Sequence, residues 1–402
     1  MATQEQVRTI LERRLQRDGE RFVAYPSIDA VVKRLSGSGE KLYMGIDATS
    51  THLHIGHTVG LLLLRDLQKA GHDITVLFGD FTSRIGDPTD KTATRSVQTE
   101  DEVEANLETY QSQVEKILEP GTFSVRRNSE WLASMTFSDV AQLAARVTVQ
   151  QMLTRDMFQD RLAQEKPIAV SEFLYPLMQG YDSVAMEVDG EVGGNDQTFN
   201  MLVGRDLAKG ILGTDKMVLP VRLLVDAATG RKISKTEGGL IALDDEPGTI
   251  FEKVSRSVPD DMVRTVFELA TDEPLEDIER RWRQAEEDGG RRAYNLDLAQ
   301  TLVRMYYDEE TAKKARERYE QIASEGTTGE LKEYEYDLPD ASQSRFVADA
   351  FGVSKSEAKR LIEQGGITLN GERLGEPLSA LSLKDGDIVQ RGSHQPVRIR
   401  IK

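Results

Sequence analysis

Four of the five histidines in this chain, His52, His54, His57 and His72, fall in one short stretch, and two of them bracket the tetrapeptide His54-Ile55-Gly56-His57. The tetrapeptide stands where a strand-like run, residues 41–46, hands over to a helical one at about residues 58–69. A helix N-terminus offers unpaired backbone N–H groups and the positive end of a dipole, so it attracts phosphate. Two imidazoles at that point can donate hydrogen bonds to a phosphoryl oxygen as charge builds on it. Gly56 would let a flat ring approach the backbone closely. Zinc is another use of paired histidines, but no acidic or thiol ligand completes a site at useful spacing. A chance match of four residues in an ordinary turn is the remaining alternative.

A second group is Lys232-Ile233-Ser234-Lys235-Thr236, in a loop with Gly230 before it and Gly238-Gly239 after it. Two lysines three residues apart can neutralise charge that develops on a leaving pyrophosphate; alone, such a pair reads equally as solvated surface. The third group, Tyr175, Gln179 and Asp182, falls at i, i+4 and i+7. At 100° per residue these positions span only about 60° of a helix surface, and Phe173, Leu174, Leu177 and Met178 occupy the rest. Three polar side chains on a narrow stripe of an apolar helix mark a buried site with a polar ligand, since unpaired each would cost roughly 1–3 kcal/mol. An amphipathic helix with its polar face in water is the other reading, and Pro176 is expected to kink the first turn. Asp87 precedes Pro88, an ordinary turn pairing.

The elements that must position these groups follow from periodicity. Residues 41–46 and 73–78 read as strands on either side of the Leu-rich helix, a strand, helix, strand unit of the length that gives a right-handed parallel crossover. Thr99 and Glu102 form a capping box, after which Val103, Leu107, Tyr110, Val114 and Ile117 keep helical spacing until Pro120-Gly121. Helical periodicity continues to about residue 162, as an insertion between two halves of a sheet. Sheet-like segments return at residues 183–188 and 217–225. Residues 247–322 are helical throughout, and residues 324–343, polar, acidic and punctuated by Gly and Pro, read as a linker. Two short helical runs, residues 346–351 and 355–364, then lead into an Asn370-Gly371 turn between short strand-like runs.

Composition bounds the function. At 402 residues the chain has room for two or three domains of roughly 150 residues, and with 39% apolar and 30% charged residues it is not a disordered chain. Its longest apolar run, around residues 61–64, is too short to cross a bilayer. The N-terminus has no apolar core of a signal peptide, so a cytoplasmic location is expected. The absence of cysteine excludes a disulfide framework and thiolate metal sites. A net charge of −17 argues against a polyanionic partner for the whole chain. From Ala341 to Lys402, however, ten basic residues stand against seven acidic ones, so any polyanion is expected to be held partly there. Lys355, Lys359 and Arg360 share one helix of that tail, as phosphate contacts or as a solvated basic face.

Taken jointly, His54-Ile55-Gly56-His57 and Lys232-Ile233-Ser234-Lys235-Thr236 resemble the HIGH and KMSKS signatures of the class I aminoacyl-tRNA synthetases, with mild departures at Ile233 and Thr236. The stripe of Tyr175, Gln179 and Asp182 looks like the Y-x-x-x-Q-x-x-D signature of the tyrosyl-tRNA synthetases within that class. The stretches LYMGIDATSTHLHIGH, GDFTSRIGDPTDKTATR and EVGGNDQTFN agree with the same group, although Ala48 replaces a usual Pro and QTFN replaces the Q-W-G-N of one branch. From Ser344 on, LIEQGGITLNGERL resembles a small RNA-binding module shared with a small-subunit ribosomal protein.

The resemblance implies a Rossmann-like doubly wound parallel sheet as catalytic domain over residues 1–240, with a helical insertion at about 97–165. An α-helical anticodon-side domain over 241–325, a linker over 326–343 and the α+β RNA-binding module over 344–402 would follow. It implies a tyrosine–tRNA ligase that uses ATP with Mg2+, with no resident metal, no membrane association, and L-tyrosine and tRNA(Tyr) as further substrates of a homodimer. By the same resemblance Tyr43 and Asp182 contact the tyrosine phenol, and Tyr175, Gln179 and Asp87 its α-amino group. Asp47, Thr49, His54, Gly56, His57, Gly194, Asp196, Gln197, Leu224, Val225 and Lys235 line the ATP and adenylate side, and His54, His57, Lys232, Lys235 and Thr236 act on the phosphates. Lys355, Lys359, Arg360 and Arg373 would contact RNA. The competing readings are a tryptophanyl-tRNA synthetase, which shares both signatures, a small-molecule adenylyltransferase of the wider HxGH group, and a non-catalytic RNA-binding protein on a synthetase scaffold.

Overall fold

Apolar side chains at consecutive positions, Leu42 to Met44 with Ile46 in Lys41–Asp47 and Val76 to Phe78 with Ile74 in Asp73–Gly79, suit strands covered on both faces, and both strands lie inside a parallel sheet. The computed structural model describes residues 2–37, 39–87, 98–225, 240–287, 290–324, 332–336, 342–363, 366–370, 372–375, 377–379, 381, 383–391 and 397–401. The chain divides into two compact units, Met1–Lys313 and Lys314–Lys402.

In the first unit, helix α1 (Gln4–Arg14) precedes strand β1 (Lys41–Asp47), helix α2 (Ile55–Lys69) and strand β2 (Asp73–Gly79). Short helices surround strand β3 (Ser124–Arg127). Helix α3 (Tyr175–Ala185), strand β4 (Gly190–Gly194), helix α4 (Thr198–Leu212) and strand β5 (Met217–Val221) complete the sheet. Its order is β3-β2-β1-β4-β5 with every pair parallel. The order reverses between β1 and β4, the crevice where open α/β sheets bind ligands. The expected helix from Thr99 is present but broken into Glu100–Leu107 and Tyr110–Val114.

One expectation fails here. Residues 183–188 are not sheet: Ser183 to Ala185 end helix α3, and the strand falls later, at Gly190–Gly194. The reason is packing. A Cβ at Gly180 would come within 3.1 Å of the Gly204 backbone, so the two glycines let α3 and α4 approach closely, and the helix persists through Ala185. Pro176 sits in the first turn of α3, where its missing N–H costs nothing, so it is accommodated without ending the helix.

Helices α5 (Pro247–Ser257), α6 (Val263–Ala270), α7 (Leu275–Glu287) and α8 (Arg291–Tyr306) follow, then α9 (Glu309–Ser324). The buried Arg14 ties this region to the sheet: its guanidinium donates to Asp66 Oδ2 at 2.7 Å on α2 and to the Thr271 carbonyl at 3.2 Å after α6. Thr58 Oγ1 and the Tyr306 hydroxyl, 3.1 Å apart, join α2 to α8.

The second unit holds a five-stranded sheet of β6 (Lys332–Tyr336), β7 (Ile367–Leu369), β8 (Glu372–Arg373), β9 (Ile388–Arg391) and β10 (Val397–Ile401), in the order β8-β7-β9-β10-β6. Helices α10 (Gln343–Phe351) and α11 (Lys355–Glu363) contribute Phe346, Val347, Ala358 and Ile362 to its core, against Ile367, Val389 and Ile399. Strand β6 corrects the reading of residues 324–343 as linker, because it pairs in parallel with β10 along its whole length. In its polar alternation, KEYEY, Tyr336 enters the core and Tyr334 packs against it half-buried.

Candidate active site

A cleft of about 430 Å³ opens at the C-terminal ends of β1 and β4. On one side α2 begins. His54 is its N-cap, in extended conformation, and its Nδ1 accepts from the Gly56 N–H at 3.1 Å. His57 Nδ1 accepts from the His54 N–H at 3.1 Å, and the two rings stack with centroids 3.9 Å apart. A ring that accepts at Nδ1 carries its proton on Nε2 when neutral, so both histidines present Nε2 as a donor. A Cβ at Gly56 would stand 2.9 Å from the His54 ring, so glycine here makes room for the histidine fold-back as well as for a ligand.

The other side is the polar stripe of α3. Tyr175, Gln179 and Asp182 all line the cleft, together with Asp47, Thr49, His54, Gly56, His57, Asp87, Gly194, Asp196, Gln197 and Leu224. The Tyr175 hydroxyl donates to Asp47 Oδ2 at 2.7 Å, and Thr82 Oγ1 donates to Asp47 Oδ1 at 2.7 Å, so Asp47 ties α3 to the turn that follows β2. Gln197 Nε2 donates to Asp87 Oδ2 at 2.6 Å. Asn200 Nδ2 donates to Gln179 Oε1 and to Gln197 Oε1, both at 2.9 Å. A Cβ at Gly194 would come within 2.5 Å of Asp196 Oδ1 and 2.9 Å of the Leu223 side chain, so the glycine leaves these side chains room where they stand.

Asp182 accepts from Trp131 Nε1 at 2.8 Å and from Asn128 Nδ2 at 3.4 Å. Burial drives its carboxyl well above the usual range, and those two hydrogen bonds pull the other way. Tyr43 is fully buried and does not itself line the cleft; its hydroxyl lies 2.9 Å from Ser183 Oγ. Burial, then the charges of Glu191 and Asp182, hold the Tyr43 phenol protonated. Tyr175 is likewise raised by burial and then by Asp47.

Other predicted residues are placed differently. Val225 lies just beyond the cleft wall formed by Leu223 and Leu224, with its N–H on the Leu223 carbonyl at 3.0 Å. Lys232, Lys235 and Thr236 lie outside the described residues. The next described segment pairs with the histidine motif: the Ile55 N–H donates to the Ile241 carbonyl at 2.9 Å and the Leu243 N–H to the Leu53 carbonyl at 3.0 Å. In the second unit Lys355, Lys359 and Arg360 are exposed on α11 and Arg373 is exposed on β8.

The sequence reading missed Thr82, Asn128, Trp131, Ser183, Glu191, Asn200 and Lys216. Glu191 is 2% exposed and Lys216 0% exposed, and the two form a short ion pair beneath the cleft. A charged residue inside the Gly-rich strand GEVGG and another directly before the apolar strand MVLPV were the signal available, but nothing local links them.

Residues 38–324 match the family described as tRNA synthetases class I (W and Y), and residues 345–385 match the S4 domain. The tyrosine–tRNA ligase of Moorella thermoacetica is 36% identical over 401 residues, covering 96% of this chain and 94% of that protein. Those of Methylococcus capsulatus and Thermotoga maritima are each 39% identical, over 93% and 91% of this chain and 95% and 91% of their own lengths. Among solved structures, a C-terminally truncated mitochondrial tyrosyl-tRNA synthetase of Aspergillus nidulans covers 79% of this chain and 94% of its own, with a TM-score of 0.65 at 22% identity, a likeness of fold. The chain therefore belongs to the class I tRNA synthetases, and within them to the family of tyrosine–tRNA ligases.

Proposed function

We propose a division of labour along this cleft for the reaction of the family, in which tyrosine and ATP give tyrosyl-adenylate and pyrophosphate before the tyrosyl group passes to the 3′ end of tRNA. The tyrosine ring enters against Asp182, with Tyr43 behind it, and the α-amino group rests on Tyr175, Gln179 and Asp87. Asp47, Thr49, Gly56, Gly194, Asp196, Gln197, Leu224 and Val225 form the ATP and adenylate side. The substrate carboxylate is already ionised at neutral pH, so no general base is needed. Its oxygen attacks the α-phosphorus and the bond to the pyrophosphate oxygen breaks. What the protein supplies is alignment and charge stabilisation: His54 and His57 as Nε2–H donors at a helix N-terminus, and Lys232, Lys235 and Thr236 on the leaving pyrophosphate. Mg2+ arrives on the ATP phosphates.

The observation that carries the reading is that the three polar side chains of α3 share one cleft with the two histidines at the start of α2. Phenylalanine would leave the polar groups around Asp182 without a partner, and sites of that kind reject the analogue by a factor of about 10⁵, a value belonging to the family and not read from this site. The tail joins this reading through Lys355, Lys359, Arg360 and Arg373, as contacts to tRNA(Tyr) phosphates. A catalytic region over residues 1–240, an anticodon-side region over 241–325 and an RNA-binding module over 344–402 complete it, in a cytoplasmic homodimer. No helix among the described residues is long and apolar enough to cross a membrane.

ATP–pyrophosphate exchange with each of the twenty amino acids tests the reading, alongside a Lys235→Ala variant. Exchange with tyrosine alone, weakened in the variant, is the expected result. Exchange with tryptophan would overturn the role given to Asp182, and exchange with no amino acid would favour an RNA-binding protein without catalysis.

A further inference from the structure

Asn200 stands on the first turn of α4 and is fully buried, yet the reaction as described gives it no part. Helices α3 and α4 approach closely at Gly180 and Gly204, and this brings Asn200 against Gln179, 21 residues earlier in the chain. Its Nδ2 donates to Gln179 Oε1 and to Gln197 Oε1, so both amide protons are committed to the two glutamines that line the cleft. Its Oδ1 is buried and accepts no hydrogen bond among the described residues. A buried acceptor without a donor costs free energy, so what keeps this side chain in place is the work of its nitrogen.

The orientation of these amides is set from both ends by carboxylates, which only accept. Glu191 is ion-paired with Lys216 through Oε2, so Gln179 can meet Glu191 Oε1, 3.0 Å away, only with its Nε2. Gln197 likewise donates through Nε2 to Asp87 Oδ2 at 2.6 Å. Each glutamine therefore turns its Oε1 toward Asn200, and only the Nδ2 of Asn200 satisfies both; turned over, its oxygen would face two others. With these bonds made, each glutamine keeps one N–H and one lone pair for a ligand. We infer that Asn200 is a positioning residue for amino-acid activation, one that locks both cleft glutamines and so couples the amine side of the site to the adenylate side. Gln179 Oε1 then keeps a lone pair for the substrate ammonium group, and Gln197 Nε2 a proton for an anionic oxygen.

This inference rests on the placement of Gln179 at the α-amino group made above. Its test is tyrosine binding to the full chain by equilibrium dialysis, in a cycle of Asn200→Leu, Gln179→Ala and the two combined. Leucine keeps the size of the side chain and removes both donors. Asn200→Leu should weaken tyrosine binding about tenfold in the wild-type background, as for loss of one hydrogen bond, and by less than about twofold once Gln179 is alanine. A second cycle with Gln197→Ala, read on kcat for pyrophosphate exchange, should be non-additive in the same way. Asn200→Ala, taken through both cycles, should give the same pattern and decides the matter if leucine prevents folding. Equal losses with and without the glutamine, or no loss in either background, would reduce Asn200 to a packing residue. A Gln179→Ala variant that binds tyrosine as the wild type does would refute the placement of Gln179 itself, and the inference with it.

Discussion

The two ends of the cleft use opposite physical means. At the start of α2 the chemistry is made from backbone and local sequence: an N-cap histidine, a glycine and a second histidine whose rings are held by the N–H groups of their own turn. At the ring end it is made from side chains gathered from β1, β4, α3 and the start of β5, buried together around an ion pair. Phosphate is the same in every nucleotide, so a generic helix terminus serves for it. A single hydroxyl must be told from its absence, and this requires groups that are dry, fixed and costly to leave unpaired. The ring end should therefore be sensitive in stability and selectivity, and the phosphate end in rate.

The sharpest contrast is in stability. Lys216→Met leaves Glu191 buried without its partner, and should destabilise the protein by about 3–5 kcal/mol in denaturant titration. The double change with Glu191→Gln should restore most of that. At the phosphate end, His54→Asn keeps a side chain that caps helices well but removes the imidazole donor. It should lower kcat for pyrophosphate exchange by roughly 10²–10³, as for loss of one transition-state donor, with the melting temperature little changed. If His54→Asn instead unfolds the chain while Lys216→Met does not, the contrast is reversed.

Between the two ends lies Asp47, and Tyr175→Phe cuts the bond that joins it to α3. Hydrogen bonds to charged groups contribute about 1.5–3 kcal/mol, and the loss should appear mainly as a raised KM for tyrosine, read by exchange at saturating ATP. The smallest effect on activation is expected from the second unit. Lys355→Ala with Lys359→Ala should leave pyrophosphate exchange unaltered and weaken tRNA binding. The slope of log affinity against log salt should become shallower by about one for each phosphate no longer neutralised.

The same division decides how much could be read from sequence. The strand, helix, strand opening and the histidine motif were legible because their signals are local: apolar runs in β1 and β2, a Leu face on α2 and a turn between them. The stripe of α3 was legible because helical spacing alone brings Tyr175, Gln179 and Asp182 together. Strand β4 was not, since three of its five residues are glycine. At Gly190 a Cβ would meet Leu42 at 2.7 Å, a reason visible only in the packing of β1 against it. The sheet-like segment expected at residues 183–188 falls too early, on the end of a helix. Lys216, just before β5, and Glu191 on β4 meet although they lie 25 residues apart in the chain, and no local pattern joins them. Strand β6 escaped because it is polar and pairs with β10 at the far end of the tail.

The most direct test of the account is the ratio of kcat/KM for tyrosine to that for phenylalanine, measured by pyrophosphate exchange in wild type and in Asp182→Ala. The account predicts strong preference for tyrosine in the wild type and its collapse in the variant, chiefly through loss of tyrosine activation. A variant that retains the wild-type preference would contradict it, because the hydroxyl would then be read elsewhere than at the buried end of this cleft.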